Sequence, residues 1–226
     1  MTFLTDFADQ AVILPVVAAI AIALLVQGNR RGALLWLGTI AVVFGLILAL
    51  KLAFLACGPG FGPSSNAWAM RSPSGHTAAA AAFAGGLTAL LTRRTLAPPL
   101  IALVSAAIIG FTRVALREHT IPEVVLAGFL GIAGVIAMTR LARSLPVARP
   151  LPLLLATVTV AVPLHGLHLP AETVIQNTAA GAAGVFAVCA RAGQAADRPG
   201  PGQPGTPFYQ VRPNVSAMRT MSSSPR

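Results

Sequence analysis

The sequence predicts an all-α, polytopic transmembrane bundle of six to seven helices with a disordered C-terminal tail. Three observations carry this prediction. Hydrophobic residues make up 55% of the 226-residue chain, only 10% are charged, and mean hydropathy is +0.76. A soluble domain usually carries about 25% charge, so a soluble globular protein, a disordered chain and a disulfide-rich secreted domain are excluded. The apolar residues gather in runs close to the roughly 20 that a helix needs to cross a hydrocarbon core about 30 Å thick. Arginines punctuate those runs instead of forming one basic face, so the net charge of +10 does not indicate nucleic acid.

Seven runs qualify as candidate spans, at approximately 11–27, 33–55, 76–92, 97–116, 121–138, 151–169 and 172–190. The first ends at Gln27-Gly28-Asn29-Arg30-Arg31-Gly32. Asp6 and Asp9 precede it with no basic residue, so it lacks a signal-peptide n-region and is expected to stay as an anchor. The second carries Lys51 near its end, and the third opens at Arg71-Ser72-Pro73-Ser74-Gly75-His76. Thr112-Arg113 closes the fourth, and Thr120-Ile121-Pro122-Glu123 leads into the fifth. Pro152, Pro163 and Pro170 interrupt the last two runs, which leaves a shallow hairpin open as an alternative to two full spans. Gly85, Gly86, Gly128, Gly131 and Gly134 predict close helix packing, where small side chains let backbones approach. Residues 1–193 thus form the transmembrane domain, and 194–226, rich in Pro, Gly, Ser and Arg, form a disordered basic tail.

With seven spans, Arg30, Arg31, Arg93, Arg94, Arg140, Arg143, Arg149 and Arg191 fall at one set of helix ends. The positive-inside rule makes that side cytoplasmic, with the N-terminus outside. The opposite mouth then collects Lys51, Arg71, Arg113, Arg117, His76, His119 and Glu123. Ionisable residues at membrane depth are costly and mark function. This set offers cations, two titratable rings and an acid: an anion site with nucleophile and acid/base chemistry at hand.

Each member also has a plainer reading. Lys51 can snorkel to the interface. Arg113 and Arg117 share a face if their helix continues, where like charges make sense around a shared anion; otherwise Arg117 points to solvent. Ser74 suits a helix N-cap, and the same helix start offers free N–H groups to phosphate, with Gly75 permitting close approach. Thr120 and Glu123 have capping-box spacing, while Glu123 can also fix the tautomer of His119; the two roles are compatible. His165 and His168 read as loop histidines, because no carboxylate or cysteine stands at ligand spacing. Cys57 and Cys189 have no partner motif.

The run Lys51-x6-Gly58-Pro59, then Pro73-Ser74-Gly75-His76, then Thr112-Arg113-x5-His119-x3-Glu123 resembles the three-part signature of the type 2 phosphatidic acid phosphatase superfamily. That signature reads Lys-x6-Arg-Pro, Pro-Ser-Gly-His and Ser-Arg-x5-His-x3-Asp. The resemblance covers about residues 51–130 and agrees in order and in every internal spacing. It implies that His119 is the nucleophile that forms a phosphohistidine, that Glu123 orients it, and that His76 protonates the leaving oxygen. Lys51, Arg113, Ser74 and the Gly75 N–H would hold the phosphoryl oxygens. The implied activity is hydrolysis of a phosphomonoester or diphosphate on a lipid, of polyprenyl diphosphate or phosphatidate type, with no cofactor or metal. The expected partners are that lipid and the surrounding membrane. The expected place is a bacterial inner membrane with the site facing the periplasm or exterior. The family's soluble vanadium-dependent haloperoxidases are set aside because of the apolar spans.

Three departures bear on this. Gly58 replaces the first-motif arginine, a lost charge-assisted bond of roughly 1.5–3 kcal/mol; Arg71 or Arg117 is a candidate replacement. Thr112 keeps the hydroxyl of the family's serine, and Glu123 keeps the aspartate's charge on an arm one methylene longer. A rival reading is a non-catalytic membrane protein that binds or transports a lipid phosphate or other anion. It accounts for the cations but not for two histidines with an acid four residues beyond one of them.

Overall fold

The computed structural model describes residues 9–56, 70, 72–167, 174, 175 and 178. Among them are six helices and no strand: α1 Gln10–Val26, α2 Arg30–Ala56, α3 Gly75–Leu91, α4 Ala97–Ala115, α5 Ile121–Ala142 and α6 Pro150–Leu164. The expected all-α bundle is the one observed. Apart from residues 174, 175 and 178, the seventh run lies outside the described residues, as do the tail, Arg71, Gly58, His168 and both cysteines.

Local chemistry sets the helix ends. Asp9 caps α1, its carboxylate accepting from Ala11 N–H at 2.8 Å. Asn29 does the same for α2, accepting from Gly32 N–H at 2.9 Å. The helix α5 runs past the expected end at 138 to Ala142, with the Thr139 hydroxyl turned back on Val135 C=O at 2.7 Å. By contrast α6 stops at Leu164 instead of 169. Pro163 has no N–H to continue the ladder, and Gly166 turns the chain with φ +83°.

Among the described residues three helices are long and apolar enough to cross a membrane, within α2, α4 and α5. Their outer faces carry exposed Leu103, Phe111, Val125 and Phe129, as a lipid-facing surface requires. The helix α2, at 27 residues, is about 40 Å long. Lys51 therefore stands roughly 32 Å from Arg30, at the opposite face of a bilayer core.

At the centre lies α3, packed against α4 and α5 and flanked by α2, with α1 packed on α2 and α6. The small residues act as the sequence predicts. A Cβ on Gly131 would meet Ala81 Cβ at 2.7 Å and Ala78 C=O at 2.9 Å, so α5 touches the α3 backbone. Between α1 and α2, the wholly buried Trp36 donates from Nε1 to Val17 C=O at 3.0 Å and stands edge-on to Phe83 at 5.7 Å. This arrangement holds the N-terminal end of α3 and the α4–α5 link at one mouth of the bundle.

Candidate active site

The link between α4 and α5 explains the spacing of Arg113 and His119. Beyond Ala115 the chain closes a Schellman turn: Arg117 N–H donates to Val114 C=O at 3.0 Å and Glu118 N–H to Arg113 C=O at 3.1 Å. Arg117 takes the left-handed position with φ +59°, where glycine is usual. The turn folds the chain back on the helix end, and His119 N–H reaches the same Arg113 carbonyl at 3.4 Å. The guanidinium and the imidazole are thereby brought to one place.

Arg117 is not brought with them. The helix does not continue through it, so it shares no helical face with Arg113, and its side chain is exposed. Of the two candidate replacements for the absent arginine, Arg117 points to solvent and Arg71 lies outside the described residues.

Glu123 is the hub of the site and is 3% exposed. Its Oε2 lies 2.9 Å from His119 Nδ1 and accepts from Thr120 N–H at 3.0 Å. The capping-box role and the histidine-orienting role thus coexist. Its Oε1 accepts from Ser72 N–H at 2.9 Å, and its backbone carbonyl accepts from Ser74 N–H at 3.3 Å. One residue fastens the start of α5 to the segment that opens α3. With Nδ1–H directed at a carboxylate, the Nε2 lone pair of His119 is left for chemistry.

The α3 start is built as a helix N-terminus. Ser74, 0% exposed, accepts from Thr77 N–H at 3.4 Å and from the Thr77 hydroxyl at 3.0 Å. Its own O–H proton stays free to donate. Gly75 follows with no side chain; a Cβ there would lie 4.0 Å from Lys51 Cε and 3.8 Å from Gln10 Nε2. Lys51, only 5% exposed, is therefore drawn in beside the helix start instead of reaching out to solvent. His76 is within electrostatic reach of Arg113, Asp9, His119 and Lys51. Arg113 pairs with Glu118, and among the described residues its buried Nε has no hydrogen-bond partner.

One participant was not foreseen. Sequence reasoning gives the first helix only an anchoring role, yet Asp9 Oδ2 stands 3.8 Å from His76 Nε2. The cap of α1 is the reason: it buries Asp9 at the mouth. The available signal was an acid at the start of the first apolar run.

An apolar cavity of about 310 Å³ lies one turn below these groups, among α1, α3, α4 and α6, with Val12, Ile13, Ala80, Phe83 and Ile109 in its walls. Asp9 C=O accepts from Val12 and Ile13 N–H, and the Thr112 hydroxyl donates to Ile109 C=O, so cavity and site share their supports.

The family model described as the PAP2 superfamily matches residues 32–145, which hold all the described site residues except Asp9 and Gln10. A protein of Klebsiella pneumoniae described as an uncharacterized 22.5 kDa protein in the cps region is 31% identical over 134 residues. The match covers 57% of this chain and 62% of that relative, less than two thirds of its length. No solved structure matches the chain.

Proposed function

The chain belongs to the PAP2 superfamily, and on that premise we propose that it is a membrane phosphatase. It hydrolyses a phosphomonoester or diphosphate on a lipid through a phosphohistidine. The observation that carries the reading is the 2.9 Å contact between His119 Nδ1 and Glu123 Oε2, set against the open N-terminus of α3. A binding protein gains nothing from orienting a histidine with a buried carboxylate.

In the proposed reaction the Nε2 lone pair of His119 attacks phosphorus in line as the P–O bond to the lipid breaks. His76 gives its proton to the departing oxygen. Glu123 stabilises the positive charge that develops on the imidazole. Water then attacks phosphorus and gives a proton to His76, the P–N bond breaks, and inorganic phosphate leaves with both histidines restored. Lys51, Arg113, the Ser74 hydroxyl and the Gly75 N–H surround the phosphoryl oxygens. This fits a reaction in which catalysis is mostly positioning and charge stabilisation.

The apolar cavity beneath the site suits the hydrocarbon of a lipid substrate. The basic helix ends opposite the site favour a mouth facing the periplasm or exterior of a bacterial inner membrane. An outward mouth favours polyprenyl diphosphate over phosphatidate. The test is phosphate release from a panel of lipid phosphates and diphosphates, with chelator present, by wild type and His119→Ala. Release that survives chelation and vanishes in the variant supports the reading. A folded protein that releases none from any substrate overturns it in favour of a lipid-phosphate binder.

A further inference from the structure

We propose that Glu118 is a resident anion that occupies the phosphate-binding arginine and must be displaced by substrate, so that it sets the charge threshold for binding. The inference rests on the reading of this mouth as a phosphate site. It starts from the Schellman turn. In that turn the residue after the left-handed position lies over the helical residue five positions earlier, commonly as an apolar contact. Here the two are Glu118 and Arg113, and they form an ion pair.

The pair is asymmetric. Arg113 is largely buried, whereas Glu118 has 46% of its side chain exposed. A carboxylate this exposed to solvent is weakly retained, because exposed ion pairs gain little over hydration. The arginine is also left incomplete by this partner: among the described residues its buried Nε has no acceptor. A guanidinium is a fork of donors that suits the several oxygens of a phosphoryl group better than one carboxylate reaching one nitrogen. The site thus holds an orphan donor beside an easily released placeholder.

Displacement puts a cost on weakly charged ligands. A phosphomonoester dianion or a diphosphate brings more charge to Lys51 and Arg113 than Glu118 supplies, and takes its place. A phosphodiester carries one charge, no more than the carboxylate it would have to expel. Glu118 would therefore act against monoanionic phospholipids, the commonest anions at a membrane surface, without touching the reacting atoms.

The experiment compares wild type, Glu118→Gln, Arg113→Ala and the double variant in detergent. It measures inorganic phosphate binding by calorimetry and lipid phosphate turnover. Glu118→Gln is expected to bind phosphate and lower KM by about three- to tenfold with kcat retained. That gain should disappear in the Arg113→Ala background. Unchanged or weaker phosphate binding in Glu118→Gln overturns the proposal, since a carboxylate that merely positions Arg113 gives that sign. So does a gain that persists without Arg113. Phosphate binding reads the proposal even where no lipid is hydrolysed, so the failure of catalysis and the failure of the placeholder are separable. If neither wild type nor Glu118→Gln binds phosphate, the proposal falls.

Discussion

Ser72 donates its backbone N–H to Oε1 of Glu123 at 2.9 Å, across 51 residues of sequence. The other oxygen of the same carboxylate holds His119. The acid that orients the proposed nucleophile is therefore also the clamp that fixes the start of α3, the proposed phosphate cradle, relative to it. Function and local stability are joined in one side chain.

Glu123→Gln tests that union. An amide offers one acceptor oxygen where the carboxylate offers two, and it brings N–H groups toward donors that need acceptors. Activity is expected to fall about 10²- to 10⁴-fold and stability by about 1–3 kcal/mol. Glu123→Asp keeps the charge on a shorter arm that cannot serve Ser72 and His119 together, so it should lose less activity than the amide. Phosphate release and thermal unfolding in detergent check both.

His76 is proposed as the acid for the leaving oxygen, so its loss should depend on the leaving group. With a lipid alkoxide, His76→Ala is expected to cost about 10²- to 10⁴-fold in kcat. With p-nitrophenyl phosphate, whose phenolate departs unaided, the loss should shrink to about tenfold or less. Equal losses on both substrates would remove His76 from this role.

Arg117→Gly removes a guanidinium and, at the same time, relieves a left-handed backbone. Because the side chain is exposed, phosphate binding should be unchanged. Stability should rise by about 1 kcal/mol, since glycine carries no Cβ penalty at φ +59°. A KM raised tenfold would return Arg117 to the site.

Gly58→Arg restores the residue that the family's first motif carries. One recovered charge-assisted bond of roughly 1.5–3 kcal/mol predicts a ten- to hundredfold lower KM. Titration of KM against lipid phosphate decides it. An unchanged KM would mean that this chain's phosphate cradle is complete without the guanidinium.

What was legible in the sequence follows from how local each signal is. His119 and Glu123 are four apart across the capping box that starts α5, so the local turn at that helix start brings them together. The same holds for Ser74, Gly75 and His76 at one helix start. Arg117 was ambiguous because the turn that ends α4 has neither glycine nor proline to announce it, so nothing in the sequence says where the helix stops. Glu118 went unread for the same reason: its contact with Arg113 exists only through that turn. Asp9 reaches His76 from a helix that is distant in sequence, a tertiary contact that periodicity cannot supply. The end of α6 at Leu164 depended on Pro163 and Gly166 acting together, and an apolar run continues through both.

The indole of Trp36 gives the bundle a built-in optical probe. Its N–H is spent on a carbonyl of α1 and its ring is sealed against Phe83, away from water. The chain has two tryptophans, so a Trp68→Phe protein would carry a single emitter, with its spectrum blue-shifted by the dry surroundings. Since α1 supplies both that carbonyl and Asp9 at the mouth, any movement of α1 that opens the site would register as a red shift from the interior of the bundle.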